Sequence, residues 1–183
     1  MSNLILVGSA RRGNSLFLAN CIADANTNED LEVIRLSDYD INFCTGCLEC
    51  DETHQCYIRD GMDELIEKLK ETETLVMITP ARYSLLSGDC KVFIDRLNPT
   101  AVSGELVGKK FIAVAVGQSQ GGPEDHSIDL AAKSLVDFAE NAGFEVLGHY
   151  SVYNCYDADA AQKQEGIEKL CQEIASILRS KTL

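Results

Sequence analysis

The sequence predicts a three-layer α/β sandwich around a parallel sheet of five strands, an expectation that rests on three observations. Short apolar runs of strand length recur along the 183 residues, and apolar residues at helical spacing fill the intervals between them. No internal repeat, low-complexity tract or Pro/Gly/Ser-rich linker interrupts the alternation, and Pro80, Pro99 and Pro123 are the only prolines. Strand and helix in strict alternation, joined by right-handed crossovers, close into one domain over 1–183 with ligand sites beyond the carboxyl ends of the strands.

Leu4 to Val7 form the first run, ended by Gly8-Ser9, and a helix beginning near Leu16 places Leu18, Cys21, Ile22 and Ala25 on one face. Leu31 to Leu36 are the second run. Residues 38–60 then break the pattern and are expected to be an irregular, functional insert. Leu65, Ile66 and Leu69 mark the next helix and Leu75 to Ile78 the third strand, while Ile94 and Leu97 belong to the helix after it. Phe111 to Val116 are the fourth strand, followed by a helix with Ile128, Ala131, Ala132, Leu135 and Ala139 inward. Phe144 to Leu147 are the fifth, and Ile167, Leu170, Cys171, Ile174, Ile177 and Leu178 line a closing helix. The first, third and fourth runs are apolar throughout, as expected of strands buried on both faces.

The formal charge of -13, from 16 basic and 29 acidic residues, argues against a sequence-independent grip on nucleic acid or an anionic bilayer. There is no apolar signal segment behind a basic start and no run of the ~18 apolar residues that a membrane span needs. A cytoplasmic protein is expected, in a compartment where thiols stay reduced.

Cys44, Cys47, Cys50 and Cys56 form a C-x2-C-x2-C-x5-C run with half of the eight cysteines. An even scatter would put about 0.6 in such a window, so a shared chemical task is expected. Two-residue gaps let successive thiolates curl round one centre, which suits an iron-sulfur cluster. Four thiolates suit tetrahedral zinc equally, His54 is a spare ligand, and a bare loop is the third reading. Cys21, Cys90 and Cys171 read as small core residues. Cys155 stands in a polar stretch with nothing nearby to activate it, and His126 and His149 have no partner at metal or nucleophile spacing.

The first strand runs into Gly8-Ser9-Ala10-Arg11-Arg12-Gly13-Asn14-Ser15, an anion site in outline: glycines free the backbone, and a helix N-terminus offers unpaired N–H groups. Asn14 stands where a triphosphate loop needs lysine, and Ala10 where a dinucleotide loop needs its second glycine, so neither reading holds. The bland alternative is a tight turn with a polar cap. Thr79-Pro80-Ala81-Arg82-Tyr83-Ser84 and Gly117-Gln118-Ser119-Gln120-Gly121-Gly122 leave the same edge, enough to hold a planar ring by stacking and backbone hydrogen bonds. Taken alone, Tyr83 serves equally as a half-buried packing residue.

Gly8-Ser9-x-Arg11, Pro80-x-x-Tyr83, Lys91-x-x-x-Asp95-Arg96 and the Gly121-Gly122 loop resemble the NAD(P)H-dependent FMN reductases of the flavodoxin-like fold. With the cysteine run followed by Asp60-Gly61-Met62, the chain is most similar to their iron-sulfur flavoprotein branch. The first loop is one residue shorter than is common there, and Ala10 replaces a frequent proline. The resemblance implies strand order 2-1-3-4-5 and an FMN phosphate held by Ser9, Arg11, Asn14, Ser15 and Leu16. Pro80, Ala81, Arg82, Tyr83 and Ser84 would line one side of the isoalloxazine, and Gly117, Gln118, Ser119 and Gly122 the other. It further implies a 4Fe-4S cluster on Cys44, Cys47, Cys50 and Cys56, placed on the same carboxyl edge as the flavin loops. NAD(P)H or a small electron-carrier protein is the implied donor, a small molecule or protein the acceptor, and a homodimer or homotetramer the assembly. The rival classes are a non-enzymatic flavin carrier or redox sensor, and a flavin-free interaction module with a zinc knuckle.

Overall fold

The computed structural model describes residues 2–27, 30–123 and 125–180. Five strands, β1 (Ser2–Val7), β2 (Leu31–Arg35), β3 (Thr72–Pro80), β4 (Lys110–Val116) and β5 (Glu145–Val152), form one sheet in the order β2-β1-β3-β4-β5. Every neighbouring pair is parallel. This is the expected flavodoxin-like order. The helices are α1 (Asn14–Ala25), α2 (Glu49–Thr53), α3 (Gly61–Glu71), α4 (Gly88–Arg96), α5 (Asn98–Val102), α6 (Ser127–Ala142) and α7 (Ile167–Arg179).

Alternation along each central strand builds the three layers. Leu4 and Leu6 of β1, Leu75 and Met77 of β3, and Phe111 and Ala113 of β4 pack against α3, α4 and α6. Their neighbours Ile5, Val7, Val76, Ile78, Ile112 and Val114 pack against α1 and α7. Because β1 has β2 on one side and β3 on the other, the helices after β1 and β3 leave to opposite faces. A crevice opens between those two loops, where ligands of open α/β sheets bind.

The edges and the insert differ from expectation. β5 spans Glu145–Val152 and not Phe144–Leu147: as an edge strand it is only half-buried, so it shows no continuous apolar run. Phe144 precedes it, buried, with its N–H donating to Ala139 O at 2.9 Å after left-handed Gly143 ends α6. The first helix starts at Asn14, two residues before Leu16. Short α2 and α5, five residues each, carry too few turns to show a period. Cys90 and Cys171 are core residues, and Cys21 packs against that core from a half-buried position.

No described helix is long and apolar enough to cross a membrane. Under α6, Phe111 meets Phe144 at 5.3 Å and Phe138 at 6.1 Å between ring centroids. Phe111→Ala leaves a cavity in this cluster and is expected to cost about 3–5 kcal/mol in urea-induced unfolding, whereas truncation of exposed Leu130 should cost less than about 0.5 kcal/mol.

Candidate functional site

The loop after β1 is set by two close approaches. A Cβ on Gly8 would lie 2.0 Å from Cys90 Sγ, so only glycine lets β1 pass the start of α4. Gly13 caps α1 without a side-chain hydrogen bond, and the N–H groups of Asn14, Ser15 and Leu16 have no partner among the described residues. The positive end of the helix dipole is therefore open. The hydroxyl of buried Ser15 likewise has no described partner. Asn14 behaves differently: its Nδ2 donates to Asp157 O at 2.7 Å and its Oδ1 accepts from Ala161 N–H at 2.9 Å. That amide pins α1 to the segment after β5 and leaves only the backbone of Asn14 to face a ligand.

The loop after β3 makes a two-residue turn in which Arg82 and Leu85 exchange N–H to O bonds of 2.9 and 3.0 Å. Its central residues, Tyr83 and Ser84, are left-handed at φ +50° and +65°. An aromatic residue there is strained by about 1–3 kcal/mol, and the Tyr83 ring is fully exposed at the rim. The loop after β4 is stitched to the end of β5: Cys155 N–H donates to Gly117 O and Asn154 N–H to Ser119 O, at 2.9 and 2.8 Å. Asp125 then ties Ser119 to Ser127 at the head of α6, and the two hydroxyls hold its carboxyl below the usual range.

These loops enclose a cavity of about 340 Å³. Every residue expected at the flavin except Leu16 and Gly122 lines it, together with Gly13, Val116, Ser127, Ile128 and Cys155. Leu16, one helical position past Ser15, faces a separate cleft beside β2, and Gly122 lies outside the wall. Asp125 and Ser127 were missed, although an Asp-x-Ser just ahead of an apolar helical run is a helix-start pattern. Burial pushes the Cys155 thiol up, which makes it an inert part of the wall. Among the described residues no carboxylate lines the cavity, while Arg11 and Arg82 do, neither in an ion pair with a described residue. In a chain of formal charge -13 this is a local cationic hollow. A Cβ on Gly117 would sit 2.8 Å from Ile128 Cγ1, so the floor stays narrow.

The cysteines are elsewhere. Cys44, Cys47, Cys50 and Cys56 line a second cavity, of about 510 Å³, with the C-terminal residues of α4 and α6 and with α5. The two cavities share no residue, which corrects the expectation of a common carboxyl edge. The cause is Arg96, with a side chain 1% exposed, which donates to Asp60 Oδ2 and Oδ1 at 2.7 and 3.1 Å, to Asn42 O at 2.8 Å and to Ile58 O at 3.2 Å. Both ends of the insert are thereby drawn down onto the helix layer. Left-handed Gly46, Leu48 and His54 wind the chain tightly between them. Gly46 N–H donates to Cys44 Sγ at 3.4 Å and Asn98 Nδ2 to Cys50 Sγ at 3.0 Å. Among the described residues no three His, Cys, Asp or Glu side chains are grouped to hold a single metal ion. The thiols stand around a groove.

Residues 1–133 match the family described as NADPH-dependent FMN reductase. An iron-sulfur flavoprotein of Methanocaldococcus jannaschii is 34% identical over 124 residues, which are 66% of this chain and 64% of that protein. One from Archaeoglobus fulgidus is 32% identical over 123 residues, 66% of this chain and 56% of its own length. The chain thus matches less than two thirds of either relative. An FMN-dependent NADH-azoreductase of Bacillus anthracis, solved in complex with FMN, superposes with a TM-score of 0.73 at 17% identity, over 98% of this chain and all of the other.

Burial pushes the Asp60 carboxyl up, but hydrogen bonds from Arg96, Asn42 and the Met62 N–H outweigh it and hold the group well below the usual carboxylate range. A depressed folded pKa contributes stability that is present above the ordinary value of about 4 and lost as pH falls below it. Asp60→Asn should therefore flatten the acid limb of stability and, by stranding buried Arg96, cost about 3–5 kcal/mol at neutral pH, both read from urea unfolding across pH. In the metal-free folded protein, an aromatic disulfide reagent should titrate exposed Cys44 and Cys47 first. Cys90, pushed up to about 11 by burial, should stay silent until denaturant is added.

Proposed function

The chain belongs to the NADPH-dependent FMN reductase family, and on that premise we propose that it is a cytoplasmic FMN-dependent oxidoreductase of the iron-sulfur flavoprotein type. The observation that carries this reading is the cavity between the β1, β3 and β4 loops: among the described residues it is free of carboxylates, lined by two arginines in no ion pair and open to a bare helix N-terminus, in a strongly acidic chain. Such a hollow fits a dianionic phosphate at one end. Its other end, between Pro80–Ser84 and Gly117–Ser119, has the backbone groups and the narrow, Cβ-free floor that a planar ring requires.

In this reading Arg11, the Ser9 and Ser15 hydroxyls and the N–H groups opening α1 hold the phosphate. Asn14 acts through its backbone, because its amide is spent on Asp157 and Ala161. Arg82 sets a positive charge at the ring end, and Ser119, fixed by Asp125, keeps the opposite wall in place. FMN held by these residues would supply the redox chemistry, with NAD(P)H or a small electron-carrier protein as the proposed donor and a small molecule or protein as the proposed acceptor. No side-chain nucleophile is needed, so the residues bind, orient and exclude water. A homodimer or homotetramer is the proposed assembly.

Cys44, Cys47, Cys50 and Cys56 are proposed to hold a 4Fe-4S cluster, which would add single-electron transfer. The support for this is that all four thiols line one groove, with two-residue gaps that let successive thiolates reach one centre.

The test is an absorption spectrum with iron and acid-labile sulfide analysis after anaerobic purification. A flavin spectrum with four iron per chain is expected; a colourless protein that takes up neither FMN nor iron contradicts the reading. Arg11→Ala should weaken FMN binding about 10- to 100-fold, the worth of one charge-assisted contact, without moving iron content. Cys47→Ala should abolish iron and spare FMN.

A further inference from the structure

Three of the four cysteine sulfurs face a donor or a cation, and two of these come from outside the insert. The buried Arg96 charge lies beside Cys56, and Asn98 Nδ2 is 3.0 Å from Cys50 Sγ across 48 residues of sequence. The same Nδ2 donates to Asp51 Oδ1 at 2.9 Å. A carboxylate only accepts, so Asp51 fixes which end of the amide meets the sulfur: the N–H end. The base beneath Asn98 is rigid. Leu97, Pro99 and Thr100 on either side are buried, and Thr100 Oγ1 closes back on Leu97 O at 2.8 Å. Asn98 itself is half-buried and makes no other side-chain hydrogen bond among the described residues, so the fold of α5 does not rest on its amide.

We propose that Asn98 is a positioning residue for the cysteine centre, anchoring Cys50 and donating to its sulfur a hydrogen bond that raises the reduction potential of the group held there. The inference rests on the cluster reading above. A donor aimed at a ligand sulfur stabilises negative charge on it, and the reduced form carries more of that charge than the oxidised form. Removing the donor then disfavours reduction. The run of cysteines alone does not contain this donor; the chain supplies it from the first residue of α5.

Anaerobically purified full-length wild type, Asn98→Ala and Asn98→Gln are compared for iron, acid-labile sulfide, FMN content, melting temperature and the midpoint potential of the iron-sulfur signal in a potentiometric titration followed by electron paramagnetic resonance. The expected result is unchanged FMN and melting temperature in both variants, a midpoint shifted to more negative potential in Asn98→Ala, and partial return in Asn98→Gln, which keeps the donor. Loss of iron from Asn98→Ala with FMN and melting temperature intact also supports the anchoring role. Full iron with an unmoved midpoint overturns the assignment of Asn98 alone. Wild type that binds FMN but no iron overturns the cluster reading and this inference with it.

Discussion

Every strand of the sheet runs the same way, and that constraint underlies the rest of the structure. Parallel pairing forces each strand-to-helix loop out at one edge, and the order β2-β1-β3-β4-β5 makes the loops after β1 and β3 diverge there. The cavity between them is thus a product of topology before any side chain is chosen. Sequence then decides its character. Gly8 and Gly117 stand where a Cβ would collide with Cys90 and Ile128, so the walls close tightly, and the described lining has no carboxylate in a chain otherwise rich in them.

A second constraint acts at longer range. The Arg96 to Asp60 pair is almost wholly buried, and burial of two charges stabilises only when nearly all their hydrogen-bonding capacity is met. Asn42 O, Ile58 O and the Met62 N–H meet most of it, and Arg96 Nε alone lacks a partner. The pair therefore holds the cysteine insert against α4 and α5, around a cavity that shares no lining residue with the hollow at the head of α1. The chain thus offers two separate cavities: one with the features proposed for a phosphate-bearing planar ligand, the other walled by thiols.

Much of this was legible in the sequence because burial on both faces leaves a continuous apolar run: β1, β3 and β4 were readable for that reason. β5 was not read to its full length, since an edge strand exposes residues such as His149 and its Gly148 breaks the run. Local chemistry likewise identified most of the hollow's lining. The position of the insert was hidden because it depends on a contact between residues 36 apart, and nothing in the pattern around Asp60 names Arg96 as its partner. Asn14 shows the same limit: a polar residue at a helix start reads as a ligand donor, yet its amide is a tertiary tie to Asp157 and Ala161.

The central claim is that the hollow at the head of α1 binds FMN through its phosphate. Side-by-side calorimetric titration of the flavin-free protein with FMN and with riboflavin tests it most directly, because the two differ only in that phosphate. The account predicts FMN tighter by two orders of magnitude or more, about 3 kcal/mol, with the preference shrinking as salt is raised. Equal affinity for the two flavins would contradict it.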